Sequence, residues 1–447
     1  DSPHTASSST RPTGGSHTRP APLTTPDVAL GRLPRDWTTG FDHELLSRWP
    51  LTGSRERRAH DAADVLAVDT LCGWAATGRP VRRVSVLHDR HGGMSLPLLA
   101  AGLDVRVGLD DASAVRSLSA NLEHFRDTDG ALPAGWGRLR IGGVDADMLA
   151  GATEVVLALP RSLDELWLTG ARIARHADDD VLVLGAGRDK HMSPSMNEVL
   201  LRCFETVVPG RGRSKSRVLT AIRPRSDVHE PEPQRRVHRV AGIGELTLVG
   251  GRATFGGASL DPGSRLLAET LAQRRPELPQ SGARPVRTES GLQVHVPHER
   301  PEGAPDVVDL GSGNGTLAIV AARLWPRAHV LATDQSADAA ASSAASVAAN
   351  NLEERVRVRQ ADALTGLPEA SVLAVVLNPP FHDGAAVDPA VADRLIADAA
   401  RVLVPSGRLW CVVNSHLRHR ALLERVVGPT TQLARNATFT VTESVRR

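Results

Sequence analysis

Tyrosine is absent from this 447-residue chain, aromatic residues make up only 3% of it, and Lys190 and Lys215 are its only lysines. This Arg- and Ala-rich, Lys-poor composition reads as GC-rich codon usage and excludes nothing about activity. Cysteine is scarce as well: Cys72, Cys203 and Cys411 stand far apart. They show no metal-ligand spacing, which argues against a zinc site or a disulfide framework and fits buried thiols in a reducing compartment. Long apolar runs are missing. None approaches the ~18 residues of a membrane span, and the polar residues 1–22 contain no apolar signal core. A soluble, cytoplasmic protein with no membrane partner and no metal is expected. The net charge of +2 permits a basic face but does not demand nucleic acid.

The length predicts two or three domains of roughly 150 residues each. Residues 1–33, rich in Ser, Thr, Pro, His and Gly, carry too little apolar surface to offset ordering entropy and read as a disordered tail. Residues 34–222 form a first domain, the polar, Pro-rich residues 223–238 a linker, and residues 239–447 a second domain. Residues 279–305 read as a long loop or insertion. From Asp306 onward strand-like and helix-like segments alternate, which argues for an α/β fold with a parallel sheet covered on both faces. Strands are expected at 307–310, 329–333, 356–359, 372–377 and 409–413. Helices are expected to open at Leu317 and to span 337–349, 390–403 and 417–427, with a turn at Pro405-Ser406-Gly407.

The halves are similar to one another. Leu157-Ala158-Leu159-Pro160-Arg161 matches Leu377-Asn378-Pro379-Pro380-Phe381, and Gly92-Gly93-Met94-Ser95-Leu96 matches Gly313-Asn314-Gly315-Thr316-Leu317. Two further pairs are Asn121-Leu122-Glu123 with Asn351-Leu352-Glu353, and residues 204–209 with 423–429. In this alignment Arg90, Met94 and Leu159 replace Gly311, Gly315 and Asn378. Bulky side chains would fill the space a cofactor needs, and a leucine cannot accept an amine's hydrogen bonds. The first copy is therefore expected to be a scaffold or an RNA-binding module.

The second copy carries the chemistry. Gly311, Gly313 and Gly315 follow an apolar strand and precede a helix, so the backbone there can approach a ligand at the carboxyl edge of the sheet. Asp334, at the end of the next strand, can accept both hydroxyls of a ribose; its alternative role is a helix N-cap, for which Ser336 competes. Asp362, after the third strand, can accept a hydrogen bond from an adenine amino group. Asn378-Pro379-Pro380-Phe381 directly follows the fourth strand. The Asn378 amide oxygen and the Pro379 carbonyl can both accept from one exocyclic NH2, the prolines stiffen the turn, and Phe381 offers a stacking face. Such a grip frees the nitrogen lone pair for a methyl donor, which points to S-adenosylmethionine as cofactor. His382, Asp383 and the run Arg418-His419-Arg420 are secondary candidates for substrate contacts.

These motifs resemble the bacterial ribosomal RNA guanine-N2 methyltransferases. The marks are Leu260-Asp261-x-Gly263-Ser264-x-Leu266-Leu267, the Gly loop from Asp309, the string Asn378-Pro379-Pro380-Phe381-His382-Asp383-Gly384, and Asn414-Ser415-His416-Leu417. The resemblance implies two tandem Rossmann-like class I methyltransferase domains, the N-terminal one degenerate. It implies cofactor binding by Asp309, Gly311, Gly313, Gly315, Asp334, Asp362, Ala363 and Asn378, with Phe255 and residues 260–263 covering the pocket. Asn378, Pro379, Pro380 and Phe381 would be catalytic, and ribosomal RNA or a ribosomal subunit the partner. The string from Asn378 is more similar to the small-subunit enzymes, whereas residues 414–417 and 436–439 are more similar to the large-subunit enzymes. Ser312 departs from the family's usual Cys. Two other functions remain open: N5 methylation of a glutamine in a translation factor, whose carboxamide presents the same planar NH2, and ribosome assembly by RNA binding without turnover.

Overall fold

A computed structural model describes residues 41–49, 58–279, 283–287, 293–380, 389–415 and 419–447. The first of its two large sheets contains β1 (Arg83–Leu87), β2 (Asp104–Gly108), β3 (Arg140–Gly142), β4 (Glu154–Ala158), β5 (Leu182–Arg188), β6 (Phe204–Pro209) and β7 (Ser216–Pro224). Around them run α1 (Ala62–Ala76), α2 (Ser95–Ala100), α3 (Ala112–Glu123), α4 (Ala146–Leu149), α5 (Leu163–His176) and α6 (Pro194–Leu201). A hairpin of β8 (Gln234–Val240) and β9 (Gly244–Gly250), helix α7 (Pro262–Arg274) and a second hairpin of β10 (Ala283–Arg287) and β11 (Gln293–Pro297) follow. The second large sheet contains β12 (Val307–Leu310), β13 (Val330–Asp334), β14 (Val356–Gln360), β15 (Val372–Leu377), β16 (Leu403–Asn414), β17 (Thr430–Arg435) and β18 (Phe439–Val445). Its later helices are α8 (Thr316–Leu324), α9 (Ala337–Ala349), α10 (Pro389–Val402) and α11 (His419–Val426).

The sheets share one topology, β3-β2-β1-β4-β5-β7-β6 and β14-β13-β12-β15-β16-β18-β17. Five strands are parallel in each, and the last two join antiparallel. Alternating side chains load both faces. Val307, Val376, Trp410 and Val412 enter one core, while Val308, Leu310, Val375, Leu377 and Leu409 enter the opposite one. The crossover from β1 to β4 against β1 to β2 leaves a crevice at the carboxyl ends of the central strands, the ordinary ligand position of such sheets.

The structure corrects several sequence expectations. Residues 225–233 lie between strands, but 234–238 of the expected linker pair with β9. The expected loop at 279–305 contains the β10–β11 hairpin. Pro405-Ser406-Gly407 does not end an element; it bulges out of β16, with the partner register jumping between Val372 and Ala374 and Ser406 at φ 66°. The match of residues 204–209 to 423–429 is out of step, because the former are strand β6 and residues 419–426 are helix; the true counterpart of β6 is β17. Asn121 is buried within α3, whereas Asn351 follows the end of α9. Short apolar Val-Val strings fit a helix and a buried strand equally well, so this slip has a physical cause.

The two halves meet where the helices after their second strands begin. Asp111 and Ser336, the N-caps of α3 and α9, form an antiparallel bridge. Ala112 N donates to Gln335 O at 2.8 Å, and Ala337 N to Asp110 O at 3.2 Å. Gln360 Nε2 adds bonds to Asp110 O at 2.6 Å and Gln335 O at 2.9 Å.

In the second domain, Trp410 is fully buried, stacks on Trp325 with centroids 5.2 Å apart, and donates from Nε1 to Glu443 Oε2 at 2.8 Å. Trp410→Ala is expected to cost about 3–5 kcal/mol in denaturant unfolding, from lost transfer energy and the cavity left behind.

Candidate active site

Gly311, Gly313 and Gly315 all adopt left-handed backbone, with φ of 75°, 55° and 81°. A Cβ at Gly315 would press on the Ser343 backbone at 3.1 Å, so that glycine lets the loop lie against α9. A Cβ at Gly311 or Gly313 would meet no protein atom within 4 Å. Those two glycines border open space at the carboxyl edge, as a cofactor cradle requires.

Beneath this loop Asp309 is buried, with Oδ2 accepting from Ala318 N at 2.8 Å and Oδ1 lacking any partner. Burial pushes its carboxyl up to about 7, and the nearby Asp334 adds to the shift. A buried carboxylate oxygen left unpaired is costly unless something polar meets it. Asp334 ends β13 and ties loop to strand: Oδ2 accepts from Gly313 N at 2.9 Å and Oδ1 from Ser336 N at 3.0 Å. The competition over the helix start is settled, since Ser336 caps α9 through Ala339 N at 3.1 Å. Burial holds the Asp334 carboxyl above its ordinary value.

Asp362 reaches the same edge, yet its side chain is only 1% exposed and pairs with two guanidiniums. Arg116 of the first domain stands 2.8 Å from Oδ2, and Arg394 of α10 stands 2.7 Å from Oδ1. Ala363, at φ 52°, turns the chain immediately after it.

Asn378 follows the last residue of β15. Its Nδ2 donates to Asp261 Oδ2 at 2.7 Å and to Ser264 Oγ at 2.9 Å. A carboxylate only accepts, so the NH2 faces Asp261 and the carbonyl oxygen is the amide atom left to receive an amine N–H. Pro379 is buried and Pro380 exposed, while Phe381, His382, Asp383 and Gly384 lie outside the described residues. Arg418 does as well; Arg420 pairs along its own helix with Glu424 at 2.9 Å. Phe255 is 69% exposed, and residues 254–257 line a cleft of about 540 Å³ between the domains together with Arg161 and Glu165. Among the described residues no group of His, Cys, Asp and Glu is placed to hold a metal ion.

The equivalent edge of the first sheet is filled by its own side chains. Arg90 donates to Asp111 Oδ2 at 3.3 Å and Ser113 Oγ at 2.7 Å, spanning the gap between the loop and the start of α3. Leu159 stands in place of Asn378 and packs over Gly185 and Gly187 of β5. Met94 is fully buried. The loop carboxylate there, Asp89, is satisfied by Gly92 N, Met94 N, Ser95 N and Ser95 Oγ.

Three side-chain contacts were not foreseen from the sequence. Asp261 and Ser264, expected only within a string covering the cofactor pocket, act on Asn378, and Asp261 also caps α7 by accepting from Ser264 N at 2.8 Å. Asn314 ties the Gly loop to the preceding segment through Gly257 O and Ser259 O at 3.0 and 2.8 Å. Asp261→Ala is expected to slow amine methylation by about ten- to a hundredfold, the worth of one hydrogen bond to a charged group. Single-turnover rates measure that loss, and Ser264→Ala, which leaves the carboxylate in place, should lose less.

Known proteins match most of the chain. Residues 289–443 match the family model of the methyltransferase small domain, and residues 34–225 that of the RLMG N-terminal domain. A T. thermophilus 16S rRNA N2 methyltransferase, solved with AdoMet and guanosine, superposes with a TM-score of 0.66 at 23% identity, over 91% of this chain and 99% of that one. It shares the tandem Rossmann-like fold. The ribosomal RNA large subunit methyltransferase G of Alcanivorax borkumensis is 29% identical over 90% of this chain and 96% of its own length. The enzyme of that name from Streptomyces avermitilis is 30% identical over 92% of this chain and 99% of its own. With that identity sustained along the full length of the relative, the chain belongs to the ribosomal RNA large subunit methyltransferase G family.

Proposed function

We propose that the chain methylates the exocyclic N2 amine of a guanine in large-subunit ribosomal RNA, with S-adenosylmethionine as methyl donor. The observation that carries this reading is the fixed orientation of the Asn378 amide. Asp261 and Ser264 take its NH2, so its oxygen and the Pro379 carbonyl form a pair of acceptors suited to the two N–H bonds of one planar amine. Held this way, the amine directs its lone pair out of conjugation. S-adenosylmethionine supplies an electrophilic methyl group. The nitrogen gains the methyl, the carbon–sulfur bond pair stays with sulfur, and the nitrogen's extra proton passes to solvent, so positioning does most of the catalytic work.

The cofactor residues divide by position. Open space at Gly311 and Gly313 admits the donor, and the unpaired Asp309 Oδ1 offers an acceptor beneath the loop. Asp334 takes the ribose hydroxyls and Asp362 the adenine amino group, with Ala363 turning the chain beside it. The large-subunit assignment rests on the relatives' names, and guanine N2 on the substrate of the T. thermophilus enzyme. Glutamine methylation fits the same acceptor pair, but the first domain matches the RLMG N-terminal domain, which favours the RNA reading.

Transfer of labelled methyl to ribosomal RNA from a strain lacking the gene, followed by nucleoside analysis, tests the proposal. Label is expected in N2-methylguanosine of the large-subunit RNA. RNase-resistant label in protein would replace it with the glutamine reading. Asn378→Ala should abolish turnover with cofactor affinity near wild type by calorimetry. Asp334→Ala should weaken cofactor binding by about tenfold or more, the worth of lost hydrogen bonds to a charged acceptor.

A further inference from the structure

The first domain lacks an open cofactor edge, yet one of its side chains enters the second domain's site. Arg116 lies on α3, one turn beyond the Asp111–Ser336 bridge that joins the domains. Its Nη1 donates to Asp362 Oδ2 at 2.8 Å and to Thr365 Oγ1 at 3.0 Å. The guanidinium carbon sits 5.1 Å from the centre of the Trp49 ring, also in the first domain. Arg394 holds the other carboxylate oxygen at 2.7 Å. Trp49, Asp362 and Thr365 thus fix the Arg116 head from three sides.

We propose that Arg116 is a positioning residue of the cofactor site, holding the Asp362 carboxylate in the place where it accepts from the adenine 6-amino group. This inference rests on the assignment of Asp362 to adenine. A carboxylate that is almost fully buried takes its orientation from the groups that hold it. Two guanidiniums, one beside each oxygen, fix that orientation. Each carboxylate oxygen has two acceptor directions, so one arginine on each still leaves a direction for the adenine N–H. The Asp111–Ser336 bridge sets the reach of Arg116, because both the bridge and the arginine stand on the first turns of α3. Adenine recognition in the second domain therefore depends on the docked first domain.

Binding of S-adenosylhomocysteine and of its inosine counterpart, in which oxygen replaces the 6-amino group, separates positioning from general structural damage. Wild-type protein is expected to prefer the adenosyl ligand by about tenfold or more. In full-length Arg116→Ala the adenosyl ligand should lose about tenfold while the inosine ligand changes little, so the preference collapses. Arg116→Lys, which keeps the charge, should recover part of the preference and serves also if the alanine variant does not fold. Equal weakening of both ligands, or no change in either, would overturn the role of Arg116. Asp362→Ala, which removes the acceptor altogether, separates the two assumptions. If it keeps the wild-type preference, the adenine assignment itself fails; if it loses the preference while Arg116→Ala retains it, only the Arg116 proposal falls.

Discussion

The antiparallel bridge between Asp111 and Ser336 is the contact on which the arrangement of this protein turns. Two helix N-termini meet there, each rich in unpaired N–H groups. Neighbouring carbonyls satisfy part of that need, since Asp110 O and Gln335 O accept from the opposite chain segment. The bridge lies two residues from Asp334, so docking of the domains and the anchoring of the Gly loop share the same short stretch. Carboxylates crowd the seam. Burial raises Asp111 to about 6 and Glu165 to about 7, and neighbouring acidic groups add to both shifts.

One topology serves two ends. Seven strands in the same order make a carboxyl-edge crevice in both halves, but side-chain volume decides whether anything can enter it. Arg90 and Leu159 fill the first crevice and a fully partnered Asp89 closes its loop. In the second, glycines leave the crevice open and Asp309 keeps an unpaired oxygen. The filled copy still contributes, because its α3 delivers Arg116 to Asp362. A duplicated domain can lose its pocket and keep a place at its neighbour's.

Much of the second domain was legible in the sequence because its signals are local. The strand at 372–377 and the helix at 337–349 were read to the residue, since an apolar run bounded by turn signals and an alanine-rich segment after a serine cap each fix their own backbone. Where the signal was compositional, the reading slipped. The Pro-Ser-Gly turn proved to be a bulge inside β16, because pairing with both β15 and β18 outweighs a local turn preference. The hairpin at 283–297 was hidden in a stretch whose prolines and glycines read as loop.

The sequence by itself determined the local backbone of the proposed site. Glycines at positive φ, an acid at a strand end and an Asn-Pro-Pro turn are constraints a chain satisfies within a few residues. Tertiary structure alone decided what each polar atom is free to do. Asn378 has its amide turned by Asp261 and Ser264, more than a hundred positions upstream, and Asp362 is paired by Arg116, 246 positions away. Hydrogen-bond capacity is shared among whatever atoms folding brings together. The acceptor left over for a substrate or cofactor is a property of the packed site and not of any segment.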